Sequence, residues 1–154
     1  MVAKNKRIKT HLLSHTQSMV TGYDTILNAI DAWLVQDDIT VIGIEIMAEA
    51  VYNVGLDSGL LECQVEVSRN GKMFEDGALL QVIGYVYCRE CTVGAGVNQC
   101  AVGEPLLVDR VMFPSGVGVD IDNGETIYLN LHGVNQMANT HQAIAQATIY
   151  YTER

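Results

Sequence analysis

From Leu61 to Ser68 the chain alternates without a break. Leu61, Cys63, Val65 and Val67 are apolar, and Glu62, Gln64, Glu66 and Ser68 between them are polar. Strand side chains point to opposite faces in turn, so the run fits a strand with one face in a core and one toward water. A helix would scatter the same apolar residues around its circumference. The alternation returns at Val117, Val119 and Ile121, and again at Ile127, Leu129 and Leu131. It closes the chain at Ala143, Ala145, Ala147, Ile149 and Tyr151, where small residues suit close approach by another sheet or subunit. Leu61, Cys63, Val65, Val67, Val119, Ile121, Ile127, Leu129 and Leu131 are the expected inward set.

Two further runs, "ITVIGIEIMAEAVYN" from Ile39 and "ALLQVIGYVYC" from Ala78, are rich in β-branched residues and read as strands. Ile26, Leu27, Ile30, Trp33 and Leu34 have the spacing of a short amphipathic helix and fit a bent strand equally. Asn70-Gly71 is a hairpin signal, because both residues accept the positive φ of a type I′ turn. "CTVGAGVNQCAVGEP" reads as a glycine-rich loop. Seven or eight strands separated by turns predict an all-β, antiparallel sandwich or barrel. At 154 residues the chain suits one domain with a real core. Residues 1–24 have no sustained period and read as an N-terminal arm, leaving 25–154 as the sandwich.

The densest group of carboxylates is Asp120, Asp122 and Glu125 around Gly124. A calcium-binding EF-hand loop needs ligands at three alternate positions before its glycine and a distal glutamate. Here the glycine comes one ligand early and the distal position is Asn130. A tight turn between two alternating strands, read as a hairpin, accounts for the segment, and calcium is not expected to be needed for folding.

Cys88 and Cys91 form a single CxxC, with Cys63 and Cys100 elsewhere. Zinc requires four converging ligands, which one CxxC does not supply alone. Free thiols, disulfides formed after release from the cell, and zinc remain the three states to distinguish. His11, His15, His132 and His141 make no metalloprotease motif, and no nucleophile elbow, P-loop or dinucleotide fingerprint occurs. No catalytic residue, cofactor or metal ligand is assigned, and no enzyme activity is expected.

Charge is unevenly distributed. The net charge is -9 and all 18 acidic residues follow position 23, whereas Lys4, Lys6, Arg7 and Lys9 are four of the nine basic ones. So acidic a body repels nucleic acid, whose phosphates need Lys and Arg. No apolar run approaches the ~20 residues of a membrane helix, and no signal peptide is read. The arm residues Lys4, Lys6, Arg7, Ile8, Lys9, Leu12 and Leu13 are the candidate partner-binding set, combining positive charge with apolar anchors.

In the order of its elements the chain resembles viral jelly rolls. "DDITVIGIEIMAEA" looks like an opening strand, "VMFPSGVGVDIDNGETIYLNLHG" like their late hairpin, and "AIAQATIYYTER" like a closing strand that pairs back toward the first. The resemblance extends to small head-decoration or minor capsid proteins of tailed bacteriophages and covers about residues 37–152. It implies a jelly-roll β-sandwich with an extended N-terminal arm and a structural, non-enzymatic role. The implied partners are the major capsid protein or neighbouring virion subunits, with a homotrimer as the expected oligomer. The implied location is the capsid surface, with assembly in the host cytoplasm. The alternative is a carbohydrate- or receptor-binding head module of a phage fibre.

Overall fold

A computed structural model describes residues 6–19, 23–51, 59–69, 80–88, 106–114, 117–135 and 141–154. These form nine strands: β1 (Lys9–Met19), β2 (Tyr23–Leu34), β3 (Ile39–Val51), β4 (Gly59–Ser68), β5 (Leu80–Cys88), β6 (Leu106–Met112), β7 (Val119–Ile121), β8 (Thr126–Asn135) and β9 (His141–Glu153). They make two antiparallel sheets. One runs β1-β9-β3-β6, with the short β7 also on β3, and the other runs β2-β8-β4-β5. Except at β4–β5 and β6–β7, successive strands cross from one sheet to the other, and β9 enters between β1 and β3. This is the strand order of a jelly roll with one short strand added.

The core lies between the sheets. Val41, Ile44, Ile46 and Ile149 from the first sheet meet Cys63, Val65, Val67, Ile127, Leu129 and Leu131 from the second. Ile121 is buried with them, and Val119 packs against the cluster from a half-buried position. The expected inward set is thus in place, apart from Leu61, whose side chain lies outside the described residues. Ala145 and Ala147 are also fully buried, so the alanine face of β9 is turned to the opposite sheet and is not open to a neighbouring subunit.

Two readings of the sequence need correction, and one left open between helix and strand is settled. Residues 9–19, assigned to the arm, are β1, paired with β9 from Lys9↔Tyr151 to Met19↔His141. Leu13, at 1% exposed, belongs to the core and is not an anchor for a partner. The opening strand is therefore β1, and "ITVIGIEIMAEA" is the third. Arm and strand look alike in the sequence because an edge strand that mixes His, Thr and Ser with few apolar residues gives no clear period.

The segment over residues 26–34 is a bent strand, not a helix. Between Leu27 and Asp31 the register of β2 against β8 shifts, so that four residues of β2 span two of β8 (Leu131 to Leu129). Such an irregularity inserts residues between successive inward positions and imitates helical spacing.

Finally, Asp122–Glu125 is a tight turn but not a hairpin. β7 pairs with β3 in one sheet, whereas β8 pairs with β2 and β4 in the other. The turn is a corner that carries the chain from sheet to sheet. Alternation on both sides of a turn predicts two strands; it does not say that they pair with each other. β4 and β5 do pair, with Ser68 opposite Leu80. The Asn70-Gly71 turn and the glycine-rich loop of residues 91–105 fall outside the described residues.

Candidate interaction surfaces

The acidic corner is a structural knot. Glu125 donates its backbone N–H to the carbonyl of Asp122 at 3.1 Å, closing the turn, and Gly124 holds φ at 91°. One carboxylate oxygen of Glu125 accepts from the Asp122 N–H at 2.8 Å and from Arg69 Nη1 at 2.9 Å. Arg69 also donates to the Asp120 carbonyl at 2.6 Å, so the end of β4 is tied to β7 across the mouth of the sandwich. The link after β2 joins the knot: Gly124 N–H donates to the Val35 carbonyl at 2.8 Å, and Val35 N–H to the Glu125 carbonyl at 2.9 Å. The Asn123 N–H donates to Asp38 Oδ1 at 3.0 Å. Arg154 forms an ion pair with Asp122 and lies 3.9 Å from Asp120. The hydrogen bond to Asp122 holds the Arg154 guanidinium above its ordinary pKa. These carboxylates face arginines and backbone amides, an arrangement that fastens a corner. Among the described residues no group of three or more His, Cys, Asp or Glu is placed to hold a metal ion.

The basic arm divides at Lys9. Lys4 lies outside the described residues, while Lys6, Arg7 and Ile8 are exposed ahead of β1. Lys9 is already engaged by Glu153, a hydrogen bond that raises its pKa. Leu12 points outward from β1 at 56% exposed. Of the proposed apolar anchors, Ile8 and Leu12 are thus available to a partner and Leu13 is not. Lys6 also lines an open groove of about 520 Å³, with Thr40, Ile42, Val117, Gly118, Asp120 and Thr152.

The free edge of β1 is managed by Asp31 on β2. Its Oδ2 accepts from the Ser14 N–H at 2.9 Å, occupying one of the amides an edge strand offers to foreign strands. Nearby, His11 stacks on Trp33 with centroids 4.0 Å apart and planes at 10°, and Trp33 meets Tyr151 at 5.0 Å. Burial lowers the His11 pKa, and the charge of Asp31 opposes the shift. No sequence motif marked this cluster, since its members come from three separate strands.

Cys63 sits in the core with its thiol pushed up to about 12 by burial, which makes it a packing residue at neutral pH. Cys88 ends β5, and Cys91 and Cys100 lie outside the described residues. The polar face of β4 was expected to meet water, yet Glu66 and Ser68 are buried, as are Tyr128 and Asn130 beside them on β8. Among the described residues, one carboxylate oxygen of Glu66 has no hydrogen-bond partner.

Strand order and core together define a jelly-roll β-sandwich. No known protein family and no curated protein matches the chain. Among solved structures it is similar to the VP2 subviral particle of infectious bursal disease virus, at 9% identity and a TM-score of 0.39, over 97% of this chain and 38% of that one. It is also similar to a structure of the Gx strain of that virus, at 9% identity and a TM-score of 0.27, over 97% of this chain and 41% of that one. The chain spans about two fifths of the length of the solved chains it matches. The fold assignment rests on the observed strand order.

Proposed function

We propose that this chain is a structural protein of a virus particle, a capsid decoration or minor capsid protein that stabilises the head shell of a bacteriophage. The observation that carries the reading is the strand order, a jelly roll of the kind used in viral shells, with a basic segment projecting ahead of β1. Its work is contact, not chemistry: the carboxylates of the acidic corner are committed to holding the fold. It assembles in the host cytoplasm and resides on the capsid surface. Lys6, Arg7 and Ile8, with Lys4 before them, dock on an acidic surface of the major capsid protein or a neighbouring subunit. Charge guides the approach, but at physiological salt it is screened beyond about 8 Å, so Ile8 must supply much of the apolar hold. The alanine face of β9, buried between the sheets, gives the homotrimer that the resemblance implies no contact.

The test is occupancy of purified particles by the full chain and by a chain starting at Lys9, which keeps β1 and its ion pair to Glu153. Stoichiometric recovery of the full chain, with loss of the shortened one on washing in high salt, supports both shell role and arm. Full occupancy by the shortened chain removes the arm from the mechanism. Absence of the full chain from particles removes the shell role. A second reading, a carbohydrate- or receptor-binding module of a phage fibre, is favoured by the groove, which is lined by the Thr152 hydroxyl and by Thr40 donating its hydroxyl to Asp120 at 2.7 Å. A fibre tip is scarce in particles and binds cell-surface glycan.

A further inference from the structure

The two sheets present unlike outer faces. On β4 and β8 the outward Glu66, Ser68, Tyr128 and Asn130 are buried, Ser68 completely. On the sheet containing β1 and β9 they remain open. Leu12 stands 56% exposed on β1 and Met112 48% exposed on β6, at opposite edges of this sheet. Between them Tyr150, Thr148 and Met47 are half-buried. Gly43 pairs with both Tyr150 and Met112, so no side chain separates that row. The Arg110 guanidinium lies over the Tyr150 ring, 5.5 Å from its centroid.

The charges of the described side chains on this face are balanced, unlike those of the chain. At a net -9, two copies repel one another over most of their surfaces. Among the described side chains of the open face, Glu45 lies 3.7 Å from Arg110, and toward β7 one acid, Asp120, shares the groove with one base, Lys6. A contact about a two-fold axis sets a patch against itself, so the patch must be neutral overall and carry its own complementary charges. Centres of protein interfaces are likewise poor in net charge and rich in Tyr, Met and Arg. A basic partner would be drawn to the acidic remainder of the molecule, and an acidic one would be repelled by it. A second neutral face on an identical chain matches what is displayed here.

We propose that the open face of the β1-β9-β3-β6 sheet binds a second copy of this chain about a two-fold axis. Leu12, Tyr150 and Met112 lie in the contact, and Glu45 of each copy meets Arg110 of the other. The pairing does not depend on the virion role, and the solution measurement below fails or succeeds separately from particle occupancy.

The test is sedimentation of the purified full chain over a concentration series reaching well above micromolar. The wild type is expected to form dimers. The double variant L12E/M112E is expected to be monomeric with unchanged melting, since both side chains are largely in water and the fold does not rest on them. Two charge variants remove dependence on that assumption. Glu45→Arg and Arg110→Glu each place like charges across the axis and are expected to be monomeric alone. Mixed in equal amounts they are expected to form a one-to-one dimer, because every acid then faces a base across the axis although the clash within each copy persists. A monomeric wild type, a dimer that survives in L12E/M112E, or a mixture that stays monomeric overturns the proposal.

Discussion

Two glycines near the acidic corner do different work. Gly124 holds a φ of 91° with no atom within 4 Å of where a Cβ would stand. Gly124→Ala therefore costs only the left-handed backbone, roughly 1–2 kcal/mol. At Gly118 a Cβ would come within 2.8 Å of the Val41 carbonyl and 2.5 Å of Thr40 Cγ2, and a backbone atom cannot turn aside. Gly118→Ala is expected to lower the melting temperature more than Gly124→Ala does, because it forces β7 away from β3. Equal shifts by calorimetry would contradict this. In the core, Leu129 is fully buried, and Leu129→Asp is expected to abolish folding, since a buried charge without a partner costs several kcal/mol. Cys63 should resist alkylation in the native protein and react on denaturation, which peptide mass mapping reads directly. His11 gives a pH dependence. Its folded pKa is below the unfolded value of 6.5, so the unfolded state takes up its proton first. The stability linked to it is present above 6.5 and is lost as pH falls from there toward the folded pKa. His11→Phe keeps a ring against Trp33 and should flatten that part of the melting profile; an unchanged slope would remove His11 as its cause.

Among the elements, those with a regular period were legible and those with an interruption were not. β4, β8 and β9 alternate strictly in sequence, and their inward residues could be named because the core takes every second side chain; that Glu66, Ser68, Tyr128 and Asn130 on the other face are buried too left no sign in the pattern. β2 hid behind a register shift that mimics helical spacing. β1 hid because it is an edge strand, completed by a partner strand more than 120 residues away, and because its amide at Ser14 is satisfied by a side chain, Asp31, that no local pattern connects to it. The acidic turn was legible as a turn, since Asn, Asp and Gly settle local conformation. Its role as a corner was not, because which strands pair is decided by contacts far along the chain. For the same reason no local pattern pointed to Arg69, which stands just before the Asn70-Gly71 turn signal. Arg69→Ala is expected to destabilise by about 1.5–3 kcal/mol, the range for hydrogen bonds to charged groups. Millimolar calcium should not compensate for the loss, because the freed carboxylates are not arranged as ligands. A calcium-dependent rise of many degrees in melting temperature, reversed by chelator, would show otherwise.

At the scale of the whole molecule, the charge asymmetry and the strand order act on different properties. Net charge governs which surfaces approach one another, and the neutral face and basic segment stand out against it. Strand order governs how the chain reaches its fold. β1 has one neighbour in its sheet, β9, and Lys9 waits for Tyr151. Pairings so distant put refolding in the millisecond-to-second range or slower. The single tryptophan, Trp33, lies where β1, β2 and β9 meet, so its fluorescence should report closure of that region. A refolding signal completed within microseconds would rule out this dependence on distant pairing. On a ribosome adding about 5–20 residues per second, the interval between the appearance of β1 and that of its partner is on the order of ten seconds. Throughout that interval β1 and β3 both display the edges that β9 will later fill. A newly made copy nearby displays the same edges and carries its own β9, so crowded synthesis favours exchange of the last strand between chains.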